Sequence, residues 1–203
     1  MKVAVLASGE GSNLQVLLDT VHGRDGIEVV AVASDQPSAR ALERAAAAGI
    51  ATRVFPRADF ADRAARDAAI AAWLDERDVG LVVLAGYMAL LDAGFIRHFE
   101  DRIVNVHPSL LPAFPGLHAI EQAIAYGVRV FGVTVHYVDE GVDTGAVILQ
   151  GALELPGATD PVAVLAQLQP IEHRLLPEAV RLIAAGRVRP APGRPRATVI
   201  APA

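Results

Sequence analysis

Residues 2–18, KVAVLASGEGSNLQVLL, read as a strand, a tight loop and a helix in succession. Val3 to Ala7 is apolar without alternation, which predicts a strand buried on both faces. Ser8 to Asn13 supplies glycine, serine and asparagine, and Leu14, Leu17 and Leu18 then recur at helical spacing. A strand, a Gly/Ser loop and a helix start together form an anion cradle, because glycines let the backbone approach and first-turn N–H groups face the ligand. Gly9 and Gly11 match the first two glycines of a dinucleotide fingerprint, but Leu14 stands at the third, and no P-loop lysine follows. The loop therefore suits one phosphate monoester better than a pyrophosphate.

The same alternation continues outward. Strands are predicted over 28–34, 52–55, 81–85 and 103–107, and helices over 39–48, 60–77 and 92–99, with Asp59 as the cap of the second. Strands alternating with helices predict an α/β fold with a doubly wound, mostly parallel sheet. Ligands sit outside the strand C-termini in such sheets, so loops 8–13, 86–91 and 107–118 are expected at one edge. The pattern then changes. Val130–Tyr137 and Ala146–Leu155 read as an antiparallel pair of strands near the C-terminal end. Asp160 and Pro161 open a helix that runs to about Ala185, and Pro170 and Pro177 predict a kink or break in it. One domain over 1–186 is expected. Residues 187–203 are a Pro/Arg-rich tail or a small hairpin around Pro192 and Gly193.

Of 203 residues, 53% are apolar and 20% charged, which supports a real core and excludes a disordered chain. There is no cysteine, so disulfides and thiolate metal sites are excluded. A net charge of −5 argues against a nucleic-acid partner. No signal peptide and no membrane-length apolar run is visible, so a cytoplasmic protein is expected. No metal-ligand spacing is present either.

The second informative stretch is IVNVHPSLLP, residues 103–112. A period of two puts Asn105 and His107 on one sheet face, at the end of a strand that Pro108 stops. Burying an amide and an imidazole is costly unless they are hydrogen-bonded or used. Asn105 can donate to a developing oxyanion, and His107, when protonated, can do so and also deliver a proton. Asp143 beside His107 would favour the imidazolium and orient it. Ser109 has no nucleophile-elbow context. The set fits acyl transfer without a covalent enzyme intermediate: an amine attacks an amide-like carbonyl and forms a tetrahedral species.

These residues lie in segments that resemble the phosphoribosylglycinamide formyltransferase family, the folate-dependent enzymes of purine synthesis. The resemblance is carried by LASGEGSNLQ at 6–15, LAGYM at 84–88, NVHPSLLPAFPGLHA at 105–119, GVTVHYVDEGVDTG at 132–145 and QPIEHRLLP at 169–177. It implies formyl transfer from 10-formyltetrahydrofolate to the amine of glycinamide ribonucleotide, in de novo purine (IMP) biosynthesis. It implies Asn105, His107 and Asp143 as the catalytic trio, with Asp143 raising the pKa of His107. Gly11, Ser12 and Asn13 match the substrate-phosphate loop, and Gln169 and Glu172 match contacts to the ribose phosphate part. Met88, Ala89, Leu90 and Leu91, with Asn105, Asp139, Glu140, Gly141, Val142 and Asp143, match the folate pocket, and Arg63 a contact to the folate tail. No metal is implied, and the assembly is expected to be a monomer or homodimer. The chain departs from the pattern at Ala89, where many relatives carry Arg, at Ala146, where Pro is usual, and at Pro170, an extra helix breaker. A methionyl-tRNA formyltransferase would instead continue after LLP with an Arg-rich segment, where this chain reads AFPGLHA.

Overall fold

The apolar run at the N-terminus forms β1 (Lys2–Leu6), buried from Val3 onward, in a computed structural model that describes residues 1–202. The residues fall into two compact units, Met1–Val104 and the part from Asn105 on. In the first, β1 pairs in parallel with β2 (Glu28–Ser34) and β4 (Leu81–Leu84), and β2 pairs in parallel with β3 (Ala51–Val54). All four residues of β4 are buried, and β2 buries every residue except Glu28 and Val30 to that degree, so these strands read as continuous apolar runs.

The connecting helices each close an apolar stripe on this sheet. Helix α1 (Ser12–Thr20) buries Leu14 and Leu17, α2 (Arg40–Ala47) buries Ala41 and Ala45, and α3 (Arg63–Asp75) buries Ile70, Trp73 and Leu74. Full burial of each large apolar side chain stabilises by about 1.5–3 kcal/mol. Helix α4 (Ala93–His98) is short, and Asp92 caps it by accepting from Gly94 N at 2.7 Å. Two boundaries differ from expectation. Helix α1 begins at Ser12, two residues before the apolar stripe starts. The helix expected from Phe60 begins at Arg63, because Asp62, not Asp59, is the cap and accepts from Ala65 N at 2.8 Å. Asp59 ends a short 3₁₀ turn, and Phe60 stays extended, its ring 6.3 Å from Phe55.

Strand β5 (Ile103–His107) crosses from one unit to the other; Asn105, Val106 and His107 belong to the second. There β6 (Val130–Tyr137) and β7 (Val147–Glu154) form an antiparallel pair, with Val133 opposite Gly151. Helix α5 (Ala119–Tyr126) was not expected; its first residue follows His118, which adopts a left-handed φ of 60°, a start that carries no Ser, Thr or Asp signal. Helix α6 (Pro161–Ala184) has Asp160 as N-cap and packs on β6 and β7. It runs through Pro170 and Pro177 without a break. Each proline removes one backbone bond, while Leu168, Leu175, Leu176, Ala179 and Val180 keep the helix anchored in the core. A Cβ on Gly151 would come within 2.6 Å of the Ile171 side chain, so the glycine lets α6 approach β7 closely. Residues 188–200 form antiparallel strands β8 (Val188–Ala191) and β9 (Arg194–Ile200), and β9 pairs in parallel with β7. No helix among the described residues is long and apolar enough to cross a membrane.

Candidate active site

In the second unit, Asn105, His107 and Asp143 come together, with a fourth group that the sequence reading missed. Asp143 lies on the connection between β6 and β7 with a left-handed φ of 52°, and its side chain turns inward while Asp139, Glu140, Gly141 and Val142 stay exposed. One carboxylate oxygen, Oδ2, accepts from Gly116 N at 2.7 Å and lies 3.3 Å from His107 Nδ1. The other, Oδ1, accepts from Asn105 Nδ2 at 3.4 Å and lies 3.5 Å from Nε2 of His136. The His136 ring is 1% exposed; its Nδ1 donates to the Tyr137 carbonyl at 2.7 Å, so Nε2 is left to face Asn105 Nδ2 at 3.3 Å and Asp143.

The missed residue obeys the rule that picked out the first pair. In GVTVHY, Thr134 and His136 are polar at i and i+2 on a buried strand, as Asn105 and His107 are in IVNVH. Thr134 is used structurally. Its hydroxyl donates to the Ser109 carbonyl at 2.7 Å and accepts from Leu111 N at 3.1 Å, fixing the loop after His107. Ser109 donates its own hydroxyl to the Ala113 carbonyl at 2.6 Å, which confirms it as a loop-forming residue.

The electrostatics of His107 combine burial with three neighbours. Burial pushes the His107 imidazole below its ordinary range. The Phe114 carbonyl, which accepts from Nε2 at 2.9 Å, and the Asp143 carboxylate pull it up, His136 pushes it down, and burial prevails. Asp143 therefore raises His107 as expected, and burial outweighs that rise. For Asp143, burial pushes the carboxyl up, but hydrogen bonds from His136 and Gly116 N and the two nearby imidazoles outweigh it and hold the carboxyl at about 2.

These shifts predict a pH dependence of stability. A histidine that binds its proton less readily when folded contributes fully above pH 6.5, its ordinary value, and loses that contribution as pH falls through its lower folded value. Asp143 contributes fully above its ordinary 3.8 and loses roughly 2 kcal/mol as pH falls towards 2. Urea midpoints should thus decline below pH 6.5, and His107→Gln should flatten the upper part of that decline. An unchanged slope would mean that other groups set it.

Elsewhere in this unit, Gln169 and Glu172 share one face of α6, Glu172 buried and Gln169 half-buried; the unbroken helix keeps them in that register despite Pro170. The loop 139–143 is ordered by Asp139, whose Oδ1 accepts from the Thr144 hydroxyl at 2.6 Å and from Gly141 N at 3.1 Å.

In the first unit, loops 8–13 and 86–91 do meet. Ser8 N donates to the Gly86 carbonyl at 3.0 Å, and the Ser8 hydroxyl accepts from Met88 N at 2.8 Å while donating to Asp35 at 2.6 Å. Gly11 is the N-cap of α1 with a left-handed φ of 72°, and the amides of Ser12 and Asn13 lie in the first turn, beyond the reach of any intrahelical carbonyl. A Cβ on Gly11 would come within 2.8 Å of the Ala41 backbone, so the glycine is fixed by packing against α2 as well as by its φ. Met88 and Leu90 are 63% and 58% exposed, Ala89 is buried, and Arg63 is exposed at the first turn of α3.

The chain is similar to several known proteins. Residues 1–180 match the formyl transferase family. The phosphoribosylglycinamide formyltransferase of Bacillus subtilis is 38% identical over 181 residues, covering 89% of this chain and 93% of that protein. The trifunctional purine biosynthetic protein adenosine-3 of Drosophila melanogaster is 44% identical over 188 residues, and the chain spans only 14% of its length. Among solved structures, glycinamide ribonucleotide transformylase 1 from Symbiobacterium toebii superposes with a TM-score of 0.94 at 43% identity, over 100% of this chain and 94% of that one. The α/β fold, mostly parallel with antiparallel strands near the C-terminus, is thus shared along the whole length. The chain belongs to the formyl transferase family, in its phosphoribosylglycinamide formyltransferase branch.

Proposed function

We propose that the chain transfers the formyl group of 10-formyltetrahydrofolate to the amine of glycinamide ribonucleotide, a step of de novo purine (IMP) biosynthesis carried out in the cytoplasm. The observation that carries this reading is the cluster of Asn105, His107, His136 and Asp143, which gathers donors and a fixed carboxylate with no serine or cysteine nucleophile among them. The amine attacks the formyl carbon directly. Asn105 Nδ2 and His107 Nε2 donate to the oxygen as it gains charge, and Asp143 stabilises the imidazolium that the developing oxyanion favours. The amine loses one proton, the tetrahedral species collapses, and the leaving folate nitrogen gains one, with His107 passing the proton between them.

On this reading the first turn of α1, with Gly11, Ser12 and Asn13, takes the substrate phosphate, and Gln169 and Glu172 take the ribose phosphate part. Met88 to Leu91, Asn105 and the loop Asp139 to Asp143 take the folate, and Arg63 its tail. The test is a formyl-transfer assay with purified chain and both substrates; absence of product from folded protein overturns the assignment. The phosphate role has its own test. Gly11→Val, the obvious variant, would clash with Ala41 and damage the fold. We propose that the Ser12 hydroxyl donates to the phosphate beside the first-turn amides, so Ser12→Ala should raise KM for the ribonucleotide about tenfold or more, the scale of one lost bond to a charged group, and leave the folate KM within twofold. Equal changes for both substrates would show that the loop is structural only.

A further inference from the structure

Arg66 is 1% exposed and Asp67 is 1% exposed, although both lie in a surface helix. Charged side chains are almost never buried so fully unless paired and used. They do not face each other alone. One guanidinium nitrogen donates to the Leu90 carbonyl at 3.0 Å, while Nε donates to Asp67 Oδ1 at 2.7 Å. The other carboxylate oxygen, Asp67 Oδ2, accepts from Asp92 N at 2.6 Å. Burial pushes the Asp67 carboxyl up, and the Asp92 amide and Arg66 pull against it.

This pair holds one end of the segment 86–92, and Ser8 holds the other through the Gly86 carbonyl and the Met88 amide. Between these four backbone ties, Met88 and Leu90 keep their side chains in solvent, and Ala89 is buried. A loop whose backbone is fixed while its apolar side chains stand exposed is a rigid edge built for contact. A planar guanidinium fork suits the task, since it can serve a carboxylate and a carbonyl at once in fixed geometry, which an ammonium cannot.

We propose that Arg66 and Asp67 are positioning residues for the folate: they set the backbone of residues 90–92 so that Met88 and Leu90 present a preformed apolar edge to the pterin-bearing substrate. This role rests on the assignment of Met88–Leu91 to the folate made above. It carries no share of the chemistry, so it should appear in folate binding and not in the chemical step.

The test uses Arg66→Lys, which keeps the charge and loses the fork, and Asp67→Asn, which keeps the shape and loses the charge. Folding is checked by thermal melting, and backbone hydrogen exchange is followed over residues 86–92. Each folded variant should exchange faster in that segment and show a folate KM raised about tenfold, with ribonucleotide KM and kcat within threefold of the parent. A folded variant with an unchanged folate KM, or with both KM values raised equally, overturns the role. If only one variant folds, that variant decides. Absence of formyl transfer by the parent chain would instead overturn the assignment on which the role rests, and the role with it, so the two failures are told apart by which protein shows them.

Discussion

Alanine in place of His107 should lower kcat for formyl transfer by about 10²–10³, the usual loss for one oxyanion donor, and Asn105→Ala should do the same. KM for either substrate should change little, because these contacts are strongest in the transition state. The double variant should lose much less than the product of the two single losses, since the groups share one carboxylate and act as a unit. Asp143→Asn keeps the shape but removes the charge that pulls His107 up against burial. It should slow the reaction and move the His107 limb of the pH–rate profile to still lower pH. A full-rate Asp143→Asn enzyme with an unmoved profile would take Asp143 out of the mechanism.

The second large effect is expected at a residue with no functional group. A Cβ on Gly145 would collide with the Tyr137 carbonyl oxygen, a backbone atom that cannot simply swing away. That oxygen accepts from His136 Nδ1 at 2.7 Å, and the Tyr137 amide closes the base of the loop on the Ala146 carbonyl at 2.9 Å. Gly145→Ala must therefore move either the strand end, which carries His136, or the loop, which carries Asp143. The variant should lose about 1–3 kcal/mol or more of stability and, where it stays folded, at least as much kcat as Asp143→Asn. Urea unfolding and steady-state rates check the two arms separately. A stable, fully active Gly145→Ala chain would show that the loop tolerates a shift the geometry forbids.

Much of this was legible before any coordinates. The strands β1, β2 and β4 are close to continuous apolar runs, and such runs have few alternatives in an α/β chain. Asn105 and His107 stood out because polar residues at i and i+2 on a buried strand demand partners. What stayed hidden depends on contacts distant in sequence. His136 was passed over although Thr134 and His136 follow the same spacing, since only the folded chain shows His136 aimed at Asp143. The net downward shift of His107 comes from burial, which spacing cannot measure. Helix α5 escaped because it starts from a left-handed His118 with no capping residue. Nothing in the sequence marks Arg66 and Asp67; only the folded chain shows them enclosed.

The Phe114 carbonyl, held on a left-handed backbone and bonded to His107 Nε2, also bears on inhibitor design. It is an internal competitor for the donor that a carbonyl-bearing compound would want. A compound that brings its own acceptor has to evict it, so part of the new bond only replaces an old one. Its apparent affinity scales with the fraction of chains in which the Phe114 segment has already let go. Compounds that leave that contact alone and lean on other surfaces escape the competition, and structure–activity series built around the acceptor alone should plateau early.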